Sequence, residues 1–94
     1  MKIMSRTDVN SLQEIPNVGS AIENDLNIIG INSPEQLIGK DPYTMYDKLC
    51  KATNQKHDPC VIDIFISAVR YMEGGPPKKW WEFTEERKSK QGAN

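Results

Sequence analysis

The stretch LQEIPNVGSAIENDLNIIGI, from Leu12 to Ile31, predicts two helical segments joined by one tight turn at Pro16-Asn17-Val18-Gly19. Proline disfavours a helical conformation in the residue before it, so the first segment is expected to end before Pro16. Three apolar residues after the turn share the i, i+4, i+7 spacing of one helix face: Ile22, Leu26 and Ile29. Gly30 is placed to cap the second helix. This stretch therefore predicts a helical hairpin near the N-terminus.

The later helix starts share one device, a capping side chain directly before a proline. It occurs at Ser33-Pro34, Asp41-Pro42 and Asp58-Pro59. Proline at the first helical position costs no hydrogen bond, because that N–H has no partner inside the helix. The third start opens CVIDIFISAVRYM, whose wide apolar stripe predicts a central helix packed on more than one side. Since no stretch alternates as a strand does, we predict an all-α fold, a compact bundle of about five short helices.

The length of 94 residues predicts one small domain. After Gly74-Gly75-Pro76-Pro77, the tail begins with aromatic residues and ends with charged ones. We expect the aromatic residues to fold back on the bundle, so that the domain spans residues 1–88 and residues 89–94 are disordered. KKWW has the composition of a base-stacking platform, but we favour a core position for Trp80 or Trp81, with the other exposed for a partner.

The composition excludes several classes of protein. No apolar run approaches the roughly 20 residues that span a bilayer, and the N-terminus lacks the apolar core of a signal peptide. We therefore expect a cytoplasmic protein without a membrane contact, with its two cysteines reduced. Residues 1–39 carry a net charge of −3, residues 40–79 of +2 and residues 80–94 of zero. A clear basic excess, typical of tight nucleic-acid binders, is missing.

The turn at Pro16-Asn17-Val18-Gly19 could bind an anion as well as reverse the chain. Backbone amides at a turn that opens a helix, together with the helix dipole, form an anion site that reads phosphates without reading bases. The predicted phosphate-binding residues are Asn17, Val18, Gly19 and Ser20 through their amides, with Lys48, Lys51 and Lys56 as electrostatic helpers. Asparagine at position 17 tolerates a left-handed backbone. Glu14 and Glu23 oppose an anion if they face the turn, and the alternative is a hairpin that only reverses the chain.

The segment CKATNQKHDPC places Cys50, His57 and Cys60 at a spacing that zinc ligands also show. A structural zinc site needs four ligands and only three are evident, so we predict no metal and keep these residues as weak candidates. Cys60 lies in the first turn of a helix, where the dipole lowers the pKa of a thiol, with His57 nearby as a base. The simpler interpretation makes both cysteines small apolar core groups and His57 a polar side chain that fixes a turn.

Three segments together resemble a known family: residues 12–50, HDPCVIDIF and KKWW. They closely resemble the small bacterial pathogenicity-locus or mitomycin-resistance-type helix–hairpin–helix proteins, in the same order and spacing from Leu12 to Trp81. The resemblance implies a SAM-like helical fold related to the DNA-binding domains of repair proteins, and similar to C-terminal domains of competence regulators. It implies a nucleic-acid role and no catalysis. Asn17 stands where the family's first turn glycine is usual, and Glu23 where alanine is usual.

We therefore predict a non-enzymatic protein without a cofactor that contacts the DNA backbone weakly and without sequence preference. The resemblance links this role to DNA repair or damage resistance. The alternative is a protein–protein interaction module, without direct DNA contact, in which the hairpin and the Trp80/Trp81 tail bind a protein partner. The acidic first third of the chain favours that alternative.

Overall fold

The computed structural model describes residues 9–91, and over this range every regular element is helical. The four α-helices are α1 (Ser20–Ile28), α2 (Pro42–Thr53), α3 (Cys60–Met72) and α4 (Thr84–Gln91). Three short 3-10 helices stand between or before them: Leu12–Glu14, Pro34–Leu37 and Trp80–Phe83. The prediction of a compact all-α fold is thereby confirmed.

The number of α-helices differs from the predicted five, for reasons visible in the chain. Two predicted helices, at Leu12–Glu14 and Pro34–Leu37, are single 3-10 turns. Each is confined to a few residues, by Pro16 in the first case and by Gly39 with φ of +83° in the second. So short a segment cannot repay the cost of nucleating an α-helix.

Two of the three predicted capping side chains, Asp41 and Asp58, accept a backbone hydrogen bond at a helix start, although α3 begins at Cys60 and not at Pro59 as predicted. Asp41 accepts a hydrogen bond from the Tyr43 amide at 3.0 Å, at the start of α2. Asp58 accepts one from the Cys60 amide at 2.9 Å, at the start of α3. These bonds satisfy amides that have no partner within the helix, so the local sequence fixes where each helix begins.

Helix α3 lies at the centre of the molecule, as its wide apolar stripe predicted. It packs against α2, α4 and the 3-10 helices Pro34–Leu37 and Trp80–Phe83. Its buried residues are Ile62, Asp63, Phe65, Ile66, Ser67, Ala68, Val69 and Met72. Two of them are polar, and both have hydrogen-bond partners from distant parts of the chain.

The carboxylate of Asp63 is fully buried and holds α4 against α3. One oxygen accepts from Arg87 Nε at 2.7 Å and the other from Thr84 Oγ1 at 2.7 Å. Arg87 is itself mostly buried, with 12% of its side chain exposed. This pairing explains why the polar segment TEERKSKQ forms a docked helix although it has almost no apolar residue to bury.

Helix α4 continues to Gln91, past the predicted end of the domain at residue 88. The parts of the predicted domain and disordered tail that fall on residues 1–8 and 92–94 lie outside the described residues. No helix within residues 9–91 combines the length and the apolar character needed to cross a membrane.

The Arg87→Ala variant is expected to unfold far more easily than the wild type. It leaves the Asp63 carboxylate buried without its cation, a change that costs about 3–5 kcal/mol of the free energy of unfolding. Urea denaturation followed by circular dichroism measures this loss. The matched control is Arg70→Ala, which removes the exposed Arg70–Glu86 pair and should cost less than about 1 kcal/mol. Equal losses in the two variants would contradict the structural role of the buried pair.

Candidate functional site

The predicted turn reverses the chain between two buried apolar residues. Ile15 and Val18 are 2% and 5% exposed, and the Val18 amide donates to the Ile15 carbonyl at 3.1 Å. Between them Asn17 has φ of +73°, a left-handed conformation. The prediction that asparagine supports this backbone is confirmed, since its short polar side chain tolerates that region better than most residues do.

The side chain of Asn17 points into the protein and joins three segments. Its Nδ2 donates to Ser67 Oγ on α3 at 2.9 Å and to the Lys78 carbonyl at 2.6 Å. Glycine, which the family resemblance leads one to expect at this position, would allow the same φ but could make neither bond. Asn17 therefore connects the turn to the central helix and to the segment before the last 3-10 helix.

The start of α1 faces solvent. Gly19 is its N-cap, with extended backbone (φ −98°, ψ −169°), and no side chain caps the helix among the described residues. A Cβ at Gly19 would meet no described atom within 4 Å. Ser20 is also exposed. Because the first amides of a helix have no intrahelical partner, the backbone at Gly19 and Ser20 is open to an approaching anion.

The predicted phosphate-binding residues differ in how accessible their backbone amides are. The Val18 amide already donates to the Ile15 carbonyl inside the turn. Asn17 is only half-exposed, whereas Gly19 and Ser20 are exposed. Gly19 and Ser20 are thus the predicted residues whose backbone is best exposed for such a contact.

The two acidic residues beside the turn are both hydrogen-bonded locally. Glu14 accepts from the Asn10 amide at 3.1 Å, and Glu23 accepts from Gln13 Nε2 at 2.7 Å. The second bond spans the hairpin from the 3-10 helix to α1. The negative charge of Glu23 is therefore held within the hairpin, where it reduces the attraction for an anion.

The lysines that share a cleft with the turn residues are not the predicted ones. A cleft of about 370 Å³ is lined by Pro16, Asn17, Pro77, Lys78, Lys79 and Glu82. The predicted helpers Lys48, Lys51 and Lys56 are exposed on α2 and the loop after it, and none of them lines this cleft in the described part of the chain. The sequence contained one clue to the lysine pair, its place in KKWW. Nothing in the sequence indicated that the lysine pair lies close to the turn, because Asn17 and Lys78 are 61 residues apart in the chain.

The aromatic residue of the tail that is buried in the core is not the predicted one. Phe83, 6% exposed, takes the core position that was expected for a tryptophan. Trp80 is half-buried, and Trp81 is 57% exposed, in line with an exposed tryptophan. The two indole rings meet edge to face, with centroids 5.5 Å apart at 83°. Lys79 Nζ lies 5.9 Å from the centroid of the Trp81 ring.

The cysteine and histidine residues have mainly structural surroundings. His57 Nε2 lies 2.8 Å from Thr53 Oγ1, and the His57 carbonyl accepts from the Tyr46 hydroxyl. A hydrogen bond with the Asp58 side chain raises the pKa of the Cys60 thiol, and burial raises it further. This is opposite to the direction expected from the helix dipole alone. Among residues 9–91, no three histidine, cysteine or acidic side chains are grouped to hold a metal ion.

The fold and this surface define a small all-helical protein whose tight turn opens into an uncapped helix beside a lysine pair. The chain belongs to the pathogenicity-locus family (Cdd1), whose model matches residues 5–89. It is 38% identical over 85 residues to the mitomycin resistance protein McrB of Streptomyces lavendulae. The aligned region covers 90% of this chain and 81% of that relative. The family expected from the sequence is thus confirmed. No solved structure matches the chain significantly.

The Asn17→Gly variant tests the connection made by the carboxamide. Glycine keeps the left-handed turn but removes two hydrogen bonds, so the free energy of unfolding should fall by about 1–3 kcal/mol. Chemical denaturation measures the loss, and hydrogen exchange should locate increased opening at Lys78 and Lys79. The control is Asn54→Gly, which keeps a left-handed residue at the end of α2. An Asn17→Gly variant as stable as that control would refute the connection.

Asp58→Asn tests the environment of Cys60. Asparagine is also a good helix cap, so α3 should keep its start while the charge beside the thiol disappears. We expect wild-type Cys60 to react slowly with iodoacetamide at neutral pH, because its raised pKa leaves little thiolate. In the variant the alkylation rate should rise at lower pH. Mass spectrometry of the peptide that carries Cys60 measures both profiles, and superimposable profiles would contradict the assignment.

Proposed function

We propose that this chain is a cytoplasmic, non-catalytic protein that binds the DNA backbone without sequence preference, using its turn as a helix–hairpin–helix contact. The observation that carries the proposal is the position of Lys78 and Lys79 in one cleft with the turn residues Pro16 and Asn17. The lysine pair brings positive charge to the turn residues Pro16 and Asn17, and the exposed backbone of Gly19 and Ser20 follows two residues further along the same turn. Both features favour a phosphate.

In the proposed contact, one phosphate lies at the start of α1. The amides of Gly19 and Ser20 donate to its oxygens, and the positive end of the helix dipole stabilises its charge. Lys78 and Lys79 contact the neighbouring phosphates as flexible point charges. All these groups meet the sugar–phosphate backbone, so the contact carries no sequence information.

The charge of the chain predicts weak binding. The net charge is −1, and Glu23 and Glu82 lie in or beside the proposed surface. Two lysines that each neutralise one phosphate would give log Kd a slope of about 2 against log salt concentration. Binding should therefore be strongest at low ionic strength.

The family relationship supports a biological setting for this activity. The similar protein from Streptomyces lavendulae is named for mitomycin resistance. We propose that this chain likewise contributes to DNA repair or damage resistance. A backbone contact without sequence preference suits such a role, because damage occurs at any sequence.

A protein–protein interaction module is the second candidate. Trp81 and Ile28 are large apolar residues with 57% and 42% exposure, and residues 1–39 carry a net charge of −3. Exposed apolar side chains often mark interaction surfaces. In this candidate the exposed residues contact a protein, and DNA affinity is absent at every salt concentration.

Two substitutions at Gly19 test the DNA contact. Gly19→Ala adds a methyl group where the free protein has space, so the fold should be kept, with a loss of about 1 kcal/mol because alanine is a poorer N-cap than glycine, while duplex affinity falls about tenfold through loss of one backbone contact. Gly19→Glu adds a negative charge at the proposed phosphate and should abolish binding. Fluorescence anisotropy with a labelled duplex of random sequence, at low and at physiological salt, measures both effects.

The matched control is Asn32→Glu, which makes the same change in charge at an exposed residue beyond the other end of α1. It should bind duplex DNA nearly as the wild type does. Circular dichroism verifies that each variant folds. No binding by the wild type at low salt, or equal losses in Gly19→Glu and Asn32→Glu, would overturn the proposed contact.

A further inference from the structure

The exposed ring of Trp81 is the part of this surface that a backbone contact does not use. A single exposed apolar side chain is ordinary by itself. Trp81 differs because its surroundings fix it. It lies in the 3-10 helix Trp80–Phe83, whose last residue is buried in the core, and the edge-to-face contact with Trp80 supports its ring.

Positive charge accompanies this ring. Lys79 Nζ lies 5.9 Å from the Trp81 centroid, and Lys78 Nζ lies 5.7 Å from the centroid of Phe83. Both lysines also line the cleft that the turn residues border. Glu82 is the acidic residue of the cleft, and its carboxylate accepts from the Lys79 amide at 3.1 Å. The lining of the cleft keeps a net positive charge.

An exposed indole ring next to a lysine-lined cleft suits a particular form of nucleic acid. Proteins that bind single strands combine a positive groove for the backbone with aromatic rings on which unpaired bases stack. An intact duplex offers phosphates to the lysines, but its bases are stacked on one another and leave the ring unused. A strand with an unpaired base can engage both features at once.

We propose that Trp81 stacks on an unpaired base while Lys78 and Lys79 hold the flanking phosphates, so that the protein prefers single-stranded or bulged DNA to intact duplex. This inference rests on the DNA contact proposed above and adds the form of DNA that the surface selects. The Asn17 carboxamide is a positioning group, because its bond to the Lys78 carbonyl fixes the lysine pair next to the turn.

The test uses the full chain with Trp80→Phe, so that Trp81 is the single source of tryptophan fluorescence. Three ligands are titrated at low salt: an oligothymidine strand, an intact duplex, and the same duplex with one bulged nucleotide. The strand and the bulged duplex should quench the Trp81 emission and bind about tenfold more tightly than the intact duplex. The intact duplex should bind with little quenching.

Substitutions at Trp81 then separate stacking from charge. Trp81→Ala should lose the preference for the bulged duplex while it keeps the affinity for the intact one, and Trp81→Phe should retain part of the preference. The matched control is Ile28→Ala, which removes the other large exposed apolar side chain and should change neither affinity. Since both residues are exposed, these variants should fold.

The outcomes distinguish the two proposals. Absence of binding to all three ligands would defeat the DNA contact itself and this inference with it. Equal affinity for intact and bulged duplex, or an unchanged preference in Trp81→Ala, would overturn only the stacking role. If an acidic polypeptide such as polyglutamate quenches Trp81 and competes as well as the oligothymidine strand, the surface recognises charge without bases, and the stacking proposal is wrong.

Discussion

The candidate surface depends on one side chain, the carboxamide of Asn17. It donates to Ser67 on the central helix and to the carbonyl of Lys78, so it fixes the turn to α3 and the C-terminal segment to the turn. The bond to Ser67 is partly buried, so breaking it leaves polar groups without full solvation, and the exposed bond to the Lys78 carbonyl adds a second point of attachment. The relative position of the turn and the lysine pair therefore follows from a local conformation of one residue.

Helix α3 supplies the other end of these connections. Asp63 and Ser67 are four residues apart on it and thus share a face. Asp63 accepts hydrogen bonds from Thr84 and Arg87 of α4, and Ser67 accepts one from the Asn17 side chain in the turn. Each buried polar group therefore holds a different segment against α3. Apolar packing surrounds them but is not directional. We infer that this polar face sets the orientation of the tail, while the apolar residues supply most of the stability.

The sequence predicted what depends on local rules. Helix starts at Asp41 and Asp58 follow from capping, and the central position of α3 follows from its wide apolar stripe. It could not predict the bond from Asn17 to Lys78, because nothing local relates residues 61 apart. For the same reason the sequence pointed to lysines of α2 and the loop after it and not to the pair in the tail. The direction predicted for the pKa of the Cys60 thiol was wrong, because the hydrogen bond with the Asp58 side chain and burial both raise it.

The turn divides its two tasks between two positions. Asn17 faces inward and uses its side chain, whereas Gly19 has none and leaves the backbone open outward. A chain with a net charge of −1 has no overall electrostatic attraction for DNA. Salt also screens the field of its lysines beyond about 10 Å. In the proposed contact, binding must then come from the groups that touch the DNA directly. If the proposed contact exists, its selectivity has to rest on the few groups that touch the ligand. That is why the position of the exposed Trp81 next to the lysine pair carries more weight in the proposal than the number of lysines in the chain.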